Sequence, residues 1–436
     1  MQLHGWGRYP RVSAELLEPP TQESIQKLFT SKKKPSSMIV RGGGRSYGDS
    51  ALADTVLSSR FLDSFIEFAA DTGSIRCGAG VSMAALLDVA IPQGYFVPVL
   101  PGTKYVSVGG AIAADIHGKN HHKDGSFCNH VSSLSLLLSS GELIQCSRDE
   151  NNEAFAATCG GMGLTGIIVD ATLTLEKVPS VSIRRNSILA ENLEDCMDLI
   201  DKHGDSKHSV AWVDCLARGD SLGRSILHLA DYCEKGIQEP KSRIALSIPF
   251  TTPGFLLNRF STKLLNNTIY AMRKHRRNIS TVNYDAYFFP LDNIRNWNRL
   301  YGGKGFLQYQ FVIPYDSARK GIREVLEIVS ESAKGSFISV LKKFGDANKN
   351  LLSFPTSGYT LTVDFKNEPS VFPLLTKLDE IVLAHGGRLY LAKDSRMSED
   401  VFKTAYPNWE RFVEVKKTLD PSNTFASHQS ARLGLT

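Results

Sequence analysis

RGGGRSYGDS, Arg41 to Ser50, follows the short strand-like run Met38–Arg41, and LPGTKYVSVGGAIAADIHGKNHH, Leu100 to His122, renews its chemistry about sixty residues on. Each string packs glycines, small hydroxyls and a few cations. A backbone without Cβ lets its N–H groups approach an anion closely. Two such loops point to one long, doubly charged ligand clasped from two sides, and a dinucleotide pyrophosphate meets that description. A third string, GGMGLTGIIVDATLTLEKV, Gly160 to Val178, also runs from glycines into a strand. Alone, Gly42-Gly43-Gly44 reads as a turn. Ser107 with Gly109-Gly110, and Gly160-Gly161 with Gly163 and Gly166, make a cradle of it. The spacing is neither GxGxxG opening a long helix nor GxxxxGK[ST], so neither a nicotinamide Rossmann unit nor a hydrolysing P-loop is supported.

At 436 residues the chain exceeds a typical single core, so two domains are the default. Apolar residues at 42% and charged ones at 22% are ordinary for a soluble globular protein. A net charge of +5 is small for this length and argues against a nucleic-acid binder. The seven cysteines are scattered, odd in number and without a CxxC pair. They point to reduced thiols in a cytosolic protein, with neither a disulfide framework nor a metal site. MQLHGWGRYP lacks the apolar region of a signal peptide, and no window approaches the length of a membrane span.

The first unit reads as α+β, with short strands between glycine loops. SKKKPSS, Ser31–Ser37, is a solvated turn. Strands are expected over Phe61–Ala69 and Gly73–Gly78 around a turn at Asp71–Gly73, and a helix over Ser82–Ile91 with Met83, Leu86, Leu87 and Ala90 on one face. Ser139-Ser140-Gly141 joins Ser133–Leu138 to Glu142–Cys146 in a hairpin, and Glu153–Cys159 is a short helix. From about Ser180 to Gly386 strands such as Phe306–Ile313 and Tyr359–Phe365 alternate with helices over Ser317–Lys334 and Val371–His385, which reads as a substrate domain. The tail carries RLYLAKDSRM and DPSNTFAS and is expected to return to the first unit.

Taken in order, GGGRSYGD, PGT...VGGAIAADIHGKNHH and GGMGLTGII resemble the FAD-binding flavoproteins of the vanillyl-alcohol oxidase / p-cresol methylhydroxylase (PCMH) type. GWGRYP, HGKNHHKDGSF, WNRLYGGKGFLQYQFVIP (Trp297–Pro314) and AKDSR...FAS narrow the resemblance to the decaprenylphosphoryl-β-D-ribose 2′-oxidase family, nearly end to end. The resemblance implies a two-domain PCMH-type fold, with an FAD-binding part at 1–180, an inserted antiparallel-sheet substrate domain at 181–387 and a C-terminal return at 388–436. It implies oxidation of the ribose 2′-hydroxyl of a polyprenyl-phosphate sugar, the first half of a 2′-epimerisation that serves arabinan and the cell envelope. An NAD(P)H-dependent reductase is the implied partner. A soluble aldonolactone or alditol oxidase is the competing reading, and an FAD-holding subunit without turnover is a third.

The same resemblance sets non-covalent FAD against Arg41, Gly42, Gly43, Gly44, Arg45, Ser46 and Tyr47 of the first loop. From the second loop it draws Pro101, Gly102, Thr103, Val108, Gly109, Gly110, Ala113, Ile116, His117, Asn120, His121 and His122. Gly160, Gly163, Gly166, Ile167 and Ala426 complete the set. Alcohol oxidation needs a positioned C–H, an acceptor for the hydroxyl proton and positive charge near the reduced cofactor. His117, whose ordinary pKa is near neutral, Lys393 and Tyr47 are the catalytic candidates. Gln308 and Gln310 alternate on one strand and share a face, with Tyr309 turned away. They suit sugar hydroxyls, with Lys119, Lys342 toward a phosphate, and Thr362 as further substrate contacts.

Two departures bear on chemistry. Relatives that bind FAD covalently often carry histidine where Arg45-Ser46 stand, so dissociable FAD is expected. Thr362 stands where the family often has cysteine, so electrophiles that capture that thiol should act only reversibly. Pro253–Asn278 interleaves Phe255, Leu256, Phe260, Leu264 and Leu265 with Arg259 and Lys263, and ends in Arg273, Lys274, Arg276 and Arg277. It reads as an interfacial helix resting on anionic lipid, with a mobile lid or an ordinary surface helix as the alternatives. The expected location is cytoplasmic, with peripheral contact at the inner face of the membrane.

Overall fold

A computed structural model describes residues 1–31, 35–240 and 246–436; the three lysines of the expected turn, Lys32–Lys34, lie outside the described residues. The chain is α+β. After an antiparallel pair of Gln2–His4 and Arg11–Ser13, a small parallel sheet forms in the order Glu15–Leu17, Thr55–Ser58, Ile39–Arg41. The last of these delivers the chain into the first glycine loop, where Gly44 turns at φ +64°. The tail closes on the same edge. Met38 bridges Phe425, and the Ala426 N–H donates to the Met38 carbonyl at 3.0 Å.

An antiparallel sheet follows, ordered Leu143–Ser147, Val131–Leu137, Ile167–Thr174, Ser74–Gly78, Phe65–Ala69. Its last strand starts four residues later than the sequence predicts. The chain at Arg60–Leu62 is instead a turn, held by the Leu62 N–H on the Ser59 carbonyl and the Gly80 N–H on the Leu62 carbonyl. The hairpin and the helices Met83–Ala90, capped by Ser82, and Asn152–Thr158 stand where periodicity placed them, within a residue or two.

The third large element is an eight-stranded antiparallel sheet. Its order is Ile279–Asn283, Ser182–Ala190, Ser225–Tyr232, His208–Val213, Gly335–Phe344, Gly358–Lys366, Phe306–Pro314, Arg388–Leu389. Three amphipathic helices cover one face. Leu193–Lys202 buries Leu193, Cys196, Met197 and Ile200; Tyr315–Ser332 buries Ile322, Val325, Leu326 and Val329; Val371–Ala384 buries Leu375, Leu378 and Val382. Those spacings of three and four make one apolar stripe per helix. Pro314, which cannot continue the strand ladder inward, opens the second helix, and Ala333 at φ +52° ends it. The opposite face of the sheet is left for the glycine loops. All seven cysteines are free thiols, six of them buried.

Candidate active site

A cavity of about 630 Å³ lies between the glycine loops and the open face of the large sheet. Its two walls are built differently. On the loop side, glycines let the two strings interlock. A Cβ at Gly42 would stand 2.1 Å from the Ser107 hydroxyl oxygen, and one at Gly43 would stand 2.6 Å from the Tyr105 carbonyl oxygen. Contacts that short exclude any side chain. Arg45 crosses this wall with its guanidinium 4.6 Å from the Trp6 ring and 5.3 Å from that of Tyr105. Its Nε, and Nη1 of Arg41, are buried donors without an acceptor. The cavity lining includes the cations Arg45, Lys119, Arg185, Lys342 and Lys393 and one carboxylate, Asp292. The unused Arg45 donor on a wall of glycines calls for an acceptor-rich anion, so FAD fits this wall through its pyrophosphate.

On the sheet side, register decides which side chains meet. Directly opposed residues of antiparallel strands share a face. Gln310 opposes Thr362, Thr362 opposes Val340, and Val340 opposes Trp212. One rung over, Lys342 lies opposite Thr360, and Val210 opposite His228, which in turn opposes Ser187. The cavity face therefore runs from Gln308 and Gln310 through Thr362 and Lys342 to Val210, Trp212, His228 and Arg185. Tyr309 points the other way and donates its hydroxyl to Asp379 at 3.0 Å.

His117, Gln310 and Lys342 form one network. Gln310 Nε2 lies 2.9 Å from His117 Nε2 and donates to Thr360 Oγ1 at 3.2 Å; Lys342 Nζ is 3.2 Å from His117 Nδ1. With the Gln310 amide nitrogen donating to Nε2, the neutral imidazole carries its proton on Nδ1, and Lys342 accepts it only as the neutral amine. Phe344 packs its ring 4.7 Å from that of His117. Burial first, then the nearby Lys342, pushes His117 well below its ordinary range, so it stays neutral. Burial and the neighbouring Lys393 bring Lys342 down to about 7.

Lys393 lies beside a second network. Its Nζ stands 3.9 Å from the Tyr47 ring centroid. The Tyr47 N–H donates to the Ala392 carbonyl at 3.0 Å, which ties the first loop to the tail. Asp364 accepts from Gln308 Nε2 at 2.6 Å and from the Tyr301 hydroxyl at 3.2 Å. Burial brings Lys393 down to about 8 against the pull of Asp364, and raises Asp364 to about 7. Burial also raises the Tyr47 phenol, which stays protonated. Lys119 reaches the carbonyls of Tyr287 and, at 3.3 Å, Phe288; burial and the positive charges of Lys342 and Arg185 lower it to about 7.

Of the residues singled out in the sequence, Gly42–Tyr47, Pro101, Gly102, Thr103, Gly109, Gly110, Ala113, Ile116, His117, Lys119, Gly163, Gly166, Gln308, Gln310, Lys342, Thr362 and Lys393 line this cavity. Arg41, Val108, Asn120, His121, His122, Gly160, Ile167 and Ala426 do not. Arg41 donates Nη2 to the His4 carbonyl at 2.7 Å. His121 Nδ1 accepts from the Gly345 N–H, His122 Nε2 faces the Ser206 carbonyl, and Asn120 Nδ2 holds the Pro98 carbonyl. These three side chains brace the loop that presents His117. Sequence reasoning missed Arg185, His228, Trp212 and Asp364. An arginine alternating with apolar positions in VSIRRNSIL was the available signal for the first.

Residues 14–147 match the FAD binding domain family, and residues 305–433 match the D-arabinono-1,4-lactone oxidase family. Over its full length the chain is 35% identical to decaprenylphosphoryl-beta-D-ribose oxidase of Mycolicibacterium smegmatis, covering 97% of that protein. It is 23% identical to mouse L-gulonolactone oxidase over 98% of this chain and 96% of the relative. It is 20% identical to L-gulono-1,4-lactone dehydrogenase of Mycobacterium tuberculosis over 98% of both.

Proposed function

Since this chain belongs to the decaprenylphosphoryl-β-D-ribose oxidase family and is an FAD-dependent oxidoreductase acting on a CH–OH group, we propose that it oxidises the 2′-hydroxyl of a polyprenylphosphoryl-β-D-ribose to the 2′-keto sugar. The observation that carries this reading is the set of side chains gathered in one cavity: the paired amides Gln308 and Gln310, the amines of Lys342 and Lys119, and the apolar residues Trp212, Phe337, Ile338 and Ile269. A sugar, a phosphate and a prenyl chain ask for those three kinds of surface. An aldonolactone has no use for the apolar tract, and the lactone-oxidising relatives are the more distant ones.

FAD, when bound, accepts the two electrons released as the carbinol C–H bond breaks. The chain's own groups do the rest. Gln308 and Gln310 orient the pentose through its hydroxyls. Lys393, held near neutrality by burial, takes the hydroxyl proton in its amine form. His117 stays neutral and acts as an oriented hydrogen-bond partner, with Lys342 and Gln310 fixing its ring. Tyr47 and the glycine wall hold the cofactor side. In this reading residues 1–180 and 388–436 form the cofactor unit and residues 181–387 the substrate unit. FAD is held without a covalent bond, so acid precipitation should release all of it into the supernatant.

Delivery of such a substrate favours contact with a lipid surface. No helix among the described residues is long and apolar enough to cross a membrane. The helix Arg259–Lys274 instead roofs the cavity at Ile269 and is anchored through buried Thr262 and Asn266 and the Tyr270 hydroxyl. Its outer side exposes Phe260 and Leu264 at 70% and 69%, with Phe255 at 73% just before it. Arg273 is engaged with the Ser187 carbonyl at 2.7 Å, so among the described residues of this segment Lys263, Lys274, Arg276 and Arg277 are the cations best placed to meet anionic lipid. Replacing those four by glutamine should release the protein from anionic vesicles; undiminished binding would refute the contact. The keto product also needs a second, NAD(P)H-dependent reductase to restore a hydroxyl with inverted configuration.

The reaction itself is tested by anaerobic bleaching of the visible flavin band. A polyprenylphosphoryl ribose should bleach it and free lactones or alditols should not. The reverse pattern would move the protein to the lactone-oxidase class.

A further inference from the structure

The two glutamines of the sheet wall are held by different partners but turned the same way. Asp364 stands directly opposite Gln308 on the neighbouring strand and is fully buried behind it, outside the cavity lining. Its Oδ1 accepts from Gln308 Nε2 at 2.6 Å, and its Oδ2 accepts from the Tyr301 hydroxyl at 3.2 Å. Tyr301 is itself fixed: its ring stacks on Phe306 at 4.2 Å, and its oxygen lies 2.7 Å from Ser336 Oγ. The Tyr47 phenol is a second hydrogen-bonding neighbour of the Gln308 amide. That contact lowers the phenol's pKa against the rise from burial, as an N–H aimed at the phenol oxygen does. Gln310 is oriented by a chain of donors. Thr360 gives its hydroxyl hydrogen to the Phe311 carbonyl at 2.7 Å, so its oxygen can only accept from Gln310 Nε2, at 3.2 Å. The second hydrogen of that nitrogen goes to His117. A glutamine amide carries its donors on nitrogen alone. With both nitrogens committed to the protein, each side chain has only Oε1 left for a ligand. Both side chains line the cavity, and among the described residues neither Oε1 has a donor.

We propose that Asp364 is a positioning residue that turns the Gln308 carbonyl to the cavity, and that Gln308 and Gln310 together form an acceptor-only pair selecting sugars with free hydroxyls at both positions not being oxidised. The inference rests on the substrate reading above. A ribofuranose bearing phosphate at C1 has hydroxyls at C2, C3 and C5. The C2 proton goes to Lys393, which leaves two hydroxyl donors for two carbonyl acceptors. A site built around a hydroxyl's hydrogen rejects an analogue that lacks it, because the site's buried polar groups are then left unpaired. Deoxygenation or alkylation at C3 or C5 therefore weakens recognition, whatever the size of the group.

The test is calorimetric titration of the FAD-loaded protein with farnesylphosphoryl 2-deoxy-β-D-ribose, which has no C2 hydroxyl to oxidise, and with versions carrying fluorine in place of the C3 or the C5 hydroxyl. Fluorine accepts weakly and cannot donate. Each replacement should weaken binding to the wild type about tenfold or more, and fluoro compounds that bind within about twofold of the parent would overturn the acceptor pair. Asp364→Leu, close in volume, frees the Gln308 amide to turn its N–H to the ligand. The fluorine penalty should then fall several-fold at one of the two positions and persist at the other. Asp364→Asn should move the same penalty in the same direction by less, since its amide can meet Gln308 with either atom, and it supplies the readout if Asp364→Leu does not fold. A general loss of affinity with both penalties unchanged, in whichever variant folds, would make Asp364 a purely structural residue and overturn its role. Flavin bleaching keeps the two readings apart. If lipid-linked ribose bleaches the flavin and fluorine leaves binding unchanged, only this inference fails. If only a free lactone bleaches it, the substrate reading fails, and the same hydroxyl-to-fluorine comparison on that lactone decides the acceptor pair by itself.

Discussion

The two walls of the cavity face one another and recognise by opposite means. The loop wall offers backbone: Gly42, Gly43, Gly102, Gly109 and Gly110, where the absent side chains make room for loop against loop and for ligand against loop. The sheet wall offers side chains from six strands, and what each does depends on the partner across the rung. A backbone wall suits a constant ligand, since N–H groups cannot be exchanged by mutation. A side-chain wall suits a substrate that differs between relatives, because each position can change without moving the chain.

The largest expected effect strikes the side-chain wall. Lys393→Met should slow anaerobic flavin reduction by a factor of about 10²–10⁴, the usual worth of a positioned proton acceptor. In the wild type the same rate should rise with pH through about 8, because the amine works only when deprotonated and burial holds its pKa there. A variant that reduces its flavin at the wild-type rate would remove Lys393 from the chemistry.

The backbone wall should respond in binding, not in rate. A Cβ at Gly102 meets no protein atom within 4 Å, so Gly102→Ala leaves the fold alone and intrudes only on the ligand's space. FAD affinity should fall roughly tenfold while the melting temperature of the cofactor-free protein stays put. Unchanged affinity would mean that the cofactor passes elsewhere, and the comparison of the two walls would lose its first term.

The loop wall was legible in the sequence because glycine strings are local signals. A residue without Cβ declares close approach whatever its distant neighbours do. The pair Gln308 and Gln310 was legible for a related reason, since period-two alternation fixes a shared face within one strand. Arg185 and His228 were not, because a lone strand does not say which of its faces is covered by helices. That follows only from the pairing of eight strands gathered across some two hundred residues. The group Asn120, His121 and His122 shows the converse limit. The string HGKNHH marks the place well, but only His117 and the two residues after it line the cavity, while the others fold back onto Pro98, Gly345 and Ser206.

The smallest effect is also the most direct reading of how the side-chain wall is strained. An unfolded chain holds a lysine near its free pKa of about 10.4. In the folded, cofactor-free protein Lys393 sits at about 8, chiefly through burial. Between those values the unfolded state binds more protons, so stability rises with pH across that window. Below it both states are protonated and the burden of the buried ammonium is full. Asp364, raised to about 7, and Lys342 are the charged groups that face it, and below pH 7 Asp364 is protonated and gives the ammonium no relief. Cofactor-free Lys393→Met should therefore melt a few degrees above wild type at pH 6, and the gap should close as pH rises from about 8 toward 10. A gap that widened with pH would mean that the amine is held by a partner, and the sheet wall would then be stabilised by its cations instead of strained by them.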